Sequence, residues 1–389
     1  MRALFAVDHI FGISRNLEVF TIGGKFPYSA WQSYLDVFSR LTVISRARPL
    51  DDTTHQLSSE GPRVDFKLLE ARRGIARLRG MGETRAAVYG AVAKADVVIA
   101  RLPSETALLA CAAARHYGKP YLVEVVACPW DALWFHGSKV ARAYAPLFAL
   151  RNRYVIKRAP AARYVTRTFL QGRYPTSGAQ FVASNVELPT VQLNGPFNGF
   201  SDIVQIGTIG ALHSRLKGID VAMRALQRLK RTDPDLRFRY RVVGEGDATP
   251  FLRNRDALGL EQEVSFEGTL PPGEPIARWL DGLDLYLQPS YQEGLPRAVI
   301  EALSRGRIVI GSTAGGTPEL LKPDRLHKPG DDEALSRIIL EVLGTPKSQL
   351  AEEAQANVKI GQGFTKETIL SARHRSLQAL AQLAGGRSS

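Results

Sequence analysis

The chain has almost no cysteine and no long apolar run. Cys111 and Cys128 are its only cysteines among 389 residues, and their spacing matches no metal-ligand pattern. This disfavours a disulfide-stabilised secreted protein and makes a reducing, cytosolic setting the simplest account. No apolar run approaches the ~20 residues that a membrane-spanning helix needs. The first residues, MRALFAVDHIFGIS, lack a signal-peptide pattern and predict a buried strand.

Acidic residues are scarce relative to basic ones. The chain has 38 Asp and Glu against 51 Lys and Arg, and its formal net charge is +13. This balance favours a nucleic acid, an anionic membrane surface or a phosphate-bearing substrate as partner, unless it reflects a general basic bias. The basic residues are spread through predicted helices, without zinc-finger spacing or an RNA-binding aromatic motif. Nucleic acid is therefore the least favoured partner.

Residues 139–163 carry the clearest local charge imbalance. They contain many Lys and Arg, with Tyr, Phe, Leu and Ile between them, but no Asp or Glu. A basic amphipathic stretch of this kind can lie on an anionic lipid surface. It can equally be a helix that packs on a core and exposes a solvated basic face. The sequence leaves both interpretations open.

The length and the hydrophobic content of 44% suit two domains with sizeable cores. Apolar runs of strand length alternate with helical patterns, and this alternation predicts an α/β fold with doubly wound parallel sheets. Helices are predicted at 66–95 and 105–117, between strands at 41–49, 95–104 and 119–127. A turn-rich segment near 186–200 predicts the linker between the two domains. The predicted units are an N-terminal domain over 1–190, a C-terminal domain over 191–364 and a last helix over 365–389.

The segment DLYLQPSYQEGLPRAVIEALSRGRIVIGSTAGGTPEL, at 284–320, is the most informative. A short apolar run predicts a strand, Pro296 suits the first helical position, and Gly306 ends that helix. Glu293 lies in the loop between them, and Glu301 lies one to two turns into the helix. Ligands of open α/β sheets bind at the carboxyl ends of strands, beside helix N-termini that attract anions. The two acids could hold polyol hydroxyls there, or both could be solvated surface groups.

The order E-G-L-P-R-A-V-I-E, with seven residues between Glu293 and Glu301, resembles the E-x7-E motif of retaining GT-B glycosyltransferases of family four. The preceding DLYLQPS and the following GGTPEL are also similar to that family. The resemblance is specific over about 203–343 and looser over 1–190. It implies two Rossmann-like domains that face across a cleft, with the last helix packing back towards the N-terminal domain.

The resemblance also implies how a nucleotide-diphosphate-sugar donor is bound in the C-terminal domain. Glu293 would hold hydroxyls of the donor sugar, and Glu301 would hold the ribose hydroxyls. Lys217, in a Lys-Gly pair before a predicted helix, and Arg215 would meet the diphosphate. The other donor-binding candidates of this domain are backbone positions, namely Gly207, Gly268, Gly294, Leu295 and Pro296. Many relatives have Arg after the first glycine, where this chain has Thr208.

Three further candidates lie in the N-terminal domain. Gly23 and Gly24 follow a predicted strand and resemble the glycine loop near the first strand of GT-B N-terminal domains, although an ordinary tight turn is the alternative. His136 follows a later strand, and its location resembles that of a histidine that contacts the donor sugar in the family. A lone histidine is otherwise more often structural. His136, Glu293 and Lys217 form the predicted catalytic set.

The leading hypothesis is a glycosyltransferase that retains anomeric configuration and needs no metal ion or other cofactor. It would act on a glycan or lipid-linked oligosaccharide in exopolysaccharide or lipopolysaccharide biosynthesis. We expect it in the cytoplasm, and a peripheral position on the inner face of the plasma membrane stays open. Two alternatives remain. One is a nucleotide-sugar epimerase of the same architecture, and the other is a catalytically silent glycan-binding scaffold, which Thr208 would favour.

Overall fold

The computed structural model describes residues 1–54, 56–71, 80–135, 138–189, 191, 197 and 199–386. They form two compact units. The first contains Met1–Ala183 and Leu370–Ser389, and the second contains Ser184–Ile369. Val186 and Leu188 belong to the second unit because they pack in one of its core clusters. The Leu188 N–H also donates to the Phe364 carbonyl, 2.9 Å away.

The first unit is built on a nine-stranded sheet. Its strands are β1 (Arg2–Ile13), β2 (Val19–Thr21), β3 (Arg40–Pro49), β4 (Leu57–Ser58), β5 (Val64–Glu70), β6 (Val97–Leu102), β7 (Tyr121–Val125), β8 (Ala161–Tyr164) and β9 (Ala179–Val182). The parallel strands follow the order β5-β3-β1-β6-β7-β8-β9, and β2 pairs antiparallel with the end of β1. The first strand therefore lies in the interior of the sheet, and later strands are added on both of its sides, as in a doubly wound fold.

The helices of this unit are α1 (Gln32–Leu35), α2 (Met81–Ala93), α3 (Glu105–His116), α4 (Pro129–Trp134), α5 (Lys139–Lys157) and α6 (Phe169–Arg173). The prediction of a helix from residue 66 is wrong for 66–70. There Val64, Phe66 and Leu68 alternate with polar residues, which suits a strand, and β5 pairs with β3. Among the described residues, no helix is long and apolar enough to cross a membrane.

The second unit has a six-stranded parallel sheet in the order β12-β11-β10-β13-β14-β15. The strands are β10 (Val204–Ile209), β11 (Phe238–Val243), β12 (Val264–Phe266), β13 (Leu285–Gln288), β14 (Ile308–Ser312) and β15 (Leu326–His327). The helices are α7 (Ile219–Thr232), α8 (Thr249–Ala257), α9 (Glu274–Asp281), α10 (Arg297–Ser304), α11 (Asp332–Leu343) and α12 (Lys347–Gln362). The strand order reverses between β10 and β13, where such sheets bind ligands.

The last helix, α13 (Lys366–Gly385), belongs mostly to the first unit. Leu377 and Leu380 are fully buried in the core of that unit. Ser376 lies beside them and accepts a hydrogen bond from Arg163 at 3.0 Å. These contacts explain why residues beyond Ile369 group with the start of the chain.

A buried carboxylate, Glu124, lies on β7 of the first unit. Glu124 accepts hydrogen bonds from Tyr34 (2.8 Å), from Arg101 (2.7 Å) and from Arg163. Burial alone would raise the pKa of Glu124, but the charges of Arg101 and Arg163 outweigh it and lower the pKa to about 2. The carboxylate therefore stays ionised and balances two buried guanidinium groups.

Replacing Glu124 by Gln should destabilise the protein by about 3–5 kcal/mol near neutral pH, because the guanidinium groups lose their buried counter-charge. The pKa is lowered from 4.5 to about 2 in the folded state. The ionised group therefore contributes stability above about pH 4.5, and this contribution is lost as the pH falls towards 2. Denaturant unfolding at several pH values should show the difference from wild type shrinking across that window.

Glu60→Gln is a matched control because Glu60 is exposed. It should change the free energy of unfolding by less than about 0.5 kcal/mol. A Glu124→Gln penalty that is independent of pH would contradict the role given to the ionised carboxylate.

Candidate active site

The loops that follow β10 and β13 meet at the reversal of strand order. The Tyr291 N–H donates to the Leu216 carbonyl at 2.8 Å. Gly218 has a φ of +66°, and a Cβ at this position would lie 1.9 Å from the Pro289 carbonyl oxygen. Only glycine permits this contact. The turn Arg215–Lys217 is thereby held against the loop that carries Glu293.

Glu293 and Lys217 form an ion pair in this region. The Glu293 side chain is 7% exposed, and its Oε1 accepts from Lys217 Nζ at 2.8 Å. The same oxygen accepts from Gln288 Nε2 at 2.9 Å and from Ser290 Oγ at 2.7 Å. Oε2 accepts from no group among the residues that the structure describes. One carboxylate oxygen is thus fixed by the protein, and the other is available to a ligand.

Gln288 and Ser290 are functional candidates that the sequence reasoning missed. Gln288 Nε2 also donates to Ser290 Oγ at 2.8 Å, and Tyr286 donates its hydroxyl proton to Gln288 Oε1 at 2.7 Å. Burial raises the pKa of Tyr286 well above its usual value, and the charges of Glu293 and Glu301 add to this, so Tyr286 remains a donor. The sequence signal for these two residues was an amide and a hydroxyl side chain at the end of an apolar run.

The glycine loop after β14 holds the backbone of the Glu293 loop. Gly315 has a φ of +60°, and a Cβ there would lie 2.2 Å from the Glu293 carbonyl oxygen. The Gly316 N–H donates to the Gly294 carbonyl at 2.7 Å. The GG pair of the sequence block at 284–320 therefore positions Glu293 by close backbone approach.

Two helix N-termini point to the same edge of the sheet. The N-cap of α7 is Gly218 and that of α10 is Pro296, and neither makes a side-chain capping bond within the described residues. Pro296 therefore precedes the first helical residue, one position away from the prediction. Leu295 is partly buried against the core beside it. Uncapped N–H groups and the helix dipole make this edge suitable for an anion.

Glu301 lies on α10, where its Oε1 accepts from Arg297 Nε at 2.8 Å. Its side chain is 19% exposed, whereas that of Arg297 is 58% exposed. Glu301 makes no hydrogen bond with the Glu293 network in the described part of the chain. The two carboxylates thus have separate partners.

Gly207 has a different place from the predicted one. It lies within β10 and not in the following loop, and a Cβ there would lie 2.4 Å from Leu283 Cδ1. Its role is close packing under Trp279 and Leu283. Thr208 is fully buried in the same strand and donates to the Leu287 carbonyl at 2.9 Å. The position after Gly207 thus lies inside a strand and not in a loop that meets the donor. The presence of Thr208 there, in place of Arg, therefore does not support the catalytically silent scaffold.

Two other predicted positions, Arg215 and Gly268, follow strands at the same edge. Gly210 starts the loop after β10, and a Cβ there would lie 2.8 Å from Lys217 Cβ. Arg215 is exposed and lines a cavity of 180 Å³. Gly268 follows β12 with a φ of +72° and accepts from the Gly244 N–H at 2.8 Å.

In the first unit, Gly23 and Gly24 form a turn directly after β2, with φ values of +70° and +65°. His9, which the sequence reasoning missed, lies near this turn, with Nε2 3.3 Å from Thr21 Oγ1. Burial and the charge of Lys25 lower the pKa of His9 to about 4, so its imidazole is neutral near pH 7. His136 lies outside the described residues.

Known glycosyltransferases and related proteins match part or all of this chain. Residues 204–345 match the family model described as Glycosyl transferases group 1. Over 385 residues the chain is 29% identical to Protein CapJ of Staphylococcus aureus, covering 97% of this chain and 95% of that protein. The amylovoran biosynthesis glycosyltransferase AmsK of Erwinia amylovora is 36% identical over 136 residues, which are 32% of this chain and 33% of that protein.

A solved structure supports the fold of the whole chain. HepE of Anabaena, in complex with UDP, superimposes with a TM-score of 0.65 at 18% identity and covers 98% of this chain and 100% of its own. The predicted architecture of two Rossmann-like units is therefore confirmed. The chain is a glycosyltransferase of the GT-B fold, and its residues 204–345 match the group 1 glycosyltransferase family.

Proposed function

We propose that the chain transfers a sugar from a nucleotide-diphosphate-sugar to a glycan or lipid-linked oligosaccharide, with retention of anomeric configuration, in exopolysaccharide or lipopolysaccharide biosynthesis. The Lys217–Glu293 pair at the reversal of strand order carries the proposal. AmsK acts in amylovoran biosynthesis, which supports a polysaccharide product. HepE binds UDP, which favours UDP as the donor nucleotide.

Positive charge for the diphosphate comes from side chains and from the backbone. Lys217 Nζ has three protons, so it can keep its bond to Glu293 and still donate to a phosphate oxygen. Arg215 lies two residues away and is exposed to a ligand. The N-termini of α7 and α10, with the amides of Gly294 and Leu295, add partial positive charge. These groups oppose the negative charge that grows on the leaving diphosphate, which favours transfer without a metal ion.

Glu293 and Glu301 divide the polar contacts to the donor. Glu293 Oε2 would accept from hydroxyl groups of the sugar, and Glu301 would accept from the ribose. Three donors already bind Glu293 Oε1, which lowers the nucleophilicity of the carboxylate. We therefore assign Glu293 to binding and charge stabilisation, and the leaving phosphate would take the proton of the acceptor hydroxyl.

The acceptor side of the reaction is assigned to the first unit. The open turn at Gly23–Gly24 allows close approach of a ligand to the backbone. His136 stays in the proposed catalytic set on the family resemblance alone. A cytoplasmic location fits the donor, and no observation favours the epimerase or the scaffold.

A thermal-shift panel of UDP, GDP, ADP and their sugars should single out one nucleotide. A ligand at 100 times its dissociation constant stabilises the folded state by about 2.7 kcal/mol. For a unit of this size, that corresponds to a rise in Tm of very roughly 5–10 °C. UDP and a UDP-sugar should give the rise. A panel without any shift would contradict nucleotide-sugar binding.

Lys217→Ala and Glu293→Gln should each lower turnover by about 10²–10³-fold, because each removes charge stabilisation at the diphosphate or the sugar. Release of nucleoside diphosphate from the donor measures this. Lys230→Ala is a matched control, since Lys230 forms an ion pair with Glu263 elsewhere in the same unit. Unchanged turnover in both site variants, with the folded state intact, would refute the assignment.

Glu301→Gln and Ser290→Ala should separate nucleotide binding from chemistry. Glu301→Gln should weaken binding of the free nucleoside diphosphate about tenfold, since it removes a charged partner of the ribose. Ser290→Ala should leave that binding unchanged and lower kcat, because it frees the Glu293 carboxylate to move. Calorimetry with the diphosphate and steady-state kinetics test the two effects. Equal loss of binding in both variants would contradict the division of roles.

A further inference from the structure

The exposed face of α5 in the first unit is apolar along its centre. Val140, Leu147, Leu150 and Tyr154 are 79, 54, 64 and 52% exposed. Their spacing of seven, three and four residues places them on one side of the helix. We call these four residues the apolar stripe. A helix on the surface of a soluble domain normally exposes polar residues, so the stripe indicates a partner.

The opposite side of α5 already packs on the protein. Ala145, Phe148, Val155 and Ile156 are buried there. The stripe is therefore not the core-facing side of the helix, which was one of the two interpretations that the sequence left open. Because α5 is apolar on two sides, the folding of its own unit does not account for the stripe.

Basic residues flank the stripe, and acidic ones are missing. Lys139, Arg142, Arg153, Lys157 and Arg158 are all exposed on α5 or at its end. The sequence has no Asp or Glu from residue 132 to residue 186. The nearby Glu105 is neutralised by Arg151, 2.9 Å away. The surface around the stripe is thus strongly positive.

Exposed aromatic side chains and an apolar cavity lie beside the stripe. Arg158 lies 3.8 Å over the ring of Tyr154, and Trp134 is 40% exposed and stacks on Trp130. Tyr and Trp with one polar and one apolar side favour the boundary between water and lipid. Beside the stripe, α3 and α5 form a cavity of 660 Å³ with an apolar floor that includes Leu108 and Ala112.

We propose that the exposed face of α5 docks on a bilayer rich in anionic phospholipid. The stripe would enter the boundary between headgroups and acyl chains, and the flanking Lys and Arg would bind lipid phosphates. The charge disfavours the main competing occupant, a second copy of the chain. A second copy docked through the same face would bring two basic surfaces together. A nucleic acid would use the charge but would leave the apolar stripe unpaired.

Flotation of the full-length protein with lipid vesicles tests the proposal. The protein should bind vesicles in which phosphatidylglycerol makes up about a quarter of the lipid, and bind pure phosphatidylcholine vesicles at least about tenfold more weakly. Binding should weaken as salt is raised, because the Debye length shortens. This test needs no donor or acceptor, so its failure and that of the proposed function are distinguishable.

Two double variants separate the apolar and basic contributions. Leu147→Ser/Leu150→Ser should weaken vesicle binding about tenfold at any salt concentration, and Arg153→Glu/Lys157→Glu should weaken it at low salt and remove the salt dependence. Leu17→Ser/Leu57→Ser is the control, because both leucines are exposed away from α5. An unchanged Tm shows that each variant is folded.

Three results of the vesicle experiments would overturn the proposal. They are equal binding to both kinds of vesicle, equal loss in the control variant, and no binding to either vesicle. A dimer in solution that Leu147→Ser/Leu150→Ser dissociates would also overturn it, because a second copy would then cover the stripe.

Discussion

The close approach of Gly218 to the Pro289 carbonyl determines how the candidate site is assembled. It holds the loops after β10 and β13 together at the reversal of strand order, and a side chain at residue 218 would separate them. Lys217 and Glu293 can form their ion pair only because these two loops touch. Gly315 acts in the same way on the other side, where it allows the loop after β14 to pack on the Glu293 backbone. Backbone contact at glycines, more than side-chain packing, therefore fixes the geometry of the charged groups.

Two buried carboxylates, Glu124 and Glu293, differ in how the protein binds their oxygens. Glu124 uses both oxygens, because Arg101 binds Oε2 while Tyr34 and Arg163 bind Oε1. Glu293 receives all three of its donors on Oε1. The Glu124 carboxylate, with protein donors on both oxygens, is accounted for by the stability of the fold. A carboxylate with an oxygen left over, in the described part of the chain, can also bind a hydroxyl group, and it is oriented before the ligand arrives.

The two units also differ in where their charge lies. In the second unit, the important positive groups are few and lie at the carboxyl ends of strands, as Lys217 and Arg215 do. In the first unit, they cover an exposed helix that also displays Leu147 and Leu150. A local positive group suits a small anionic ligand, whereas a broad basic face with apolar residues suits an extended anionic surface. The net charge of +13 therefore comes from the first unit, because the second unit has 22 Lys and Arg against 25 Asp and Glu.

The sequence by itself determined the alternation of strands and helices, the order of the block at 284–320 and the choice of Glu293 and Lys217 as candidate site residues. These features follow from local periodicity and from a contiguous motif. The prediction at 66–70 was wrong because a short amphipathic run fits either period, and pairing with β3 decides for the strand. Only the tertiary structure decided that Lys217 contacts Glu293 across 76 residues of sequence. Only the tertiary structure showed that Gly207 is buried in a strand, that Gln288 and Ser290 contact Glu293, and that the apolar stripe on α5 is uncovered. In each case the reason is physical: a sequence pattern identifies which residues share a face, but only packing determines what that face meets.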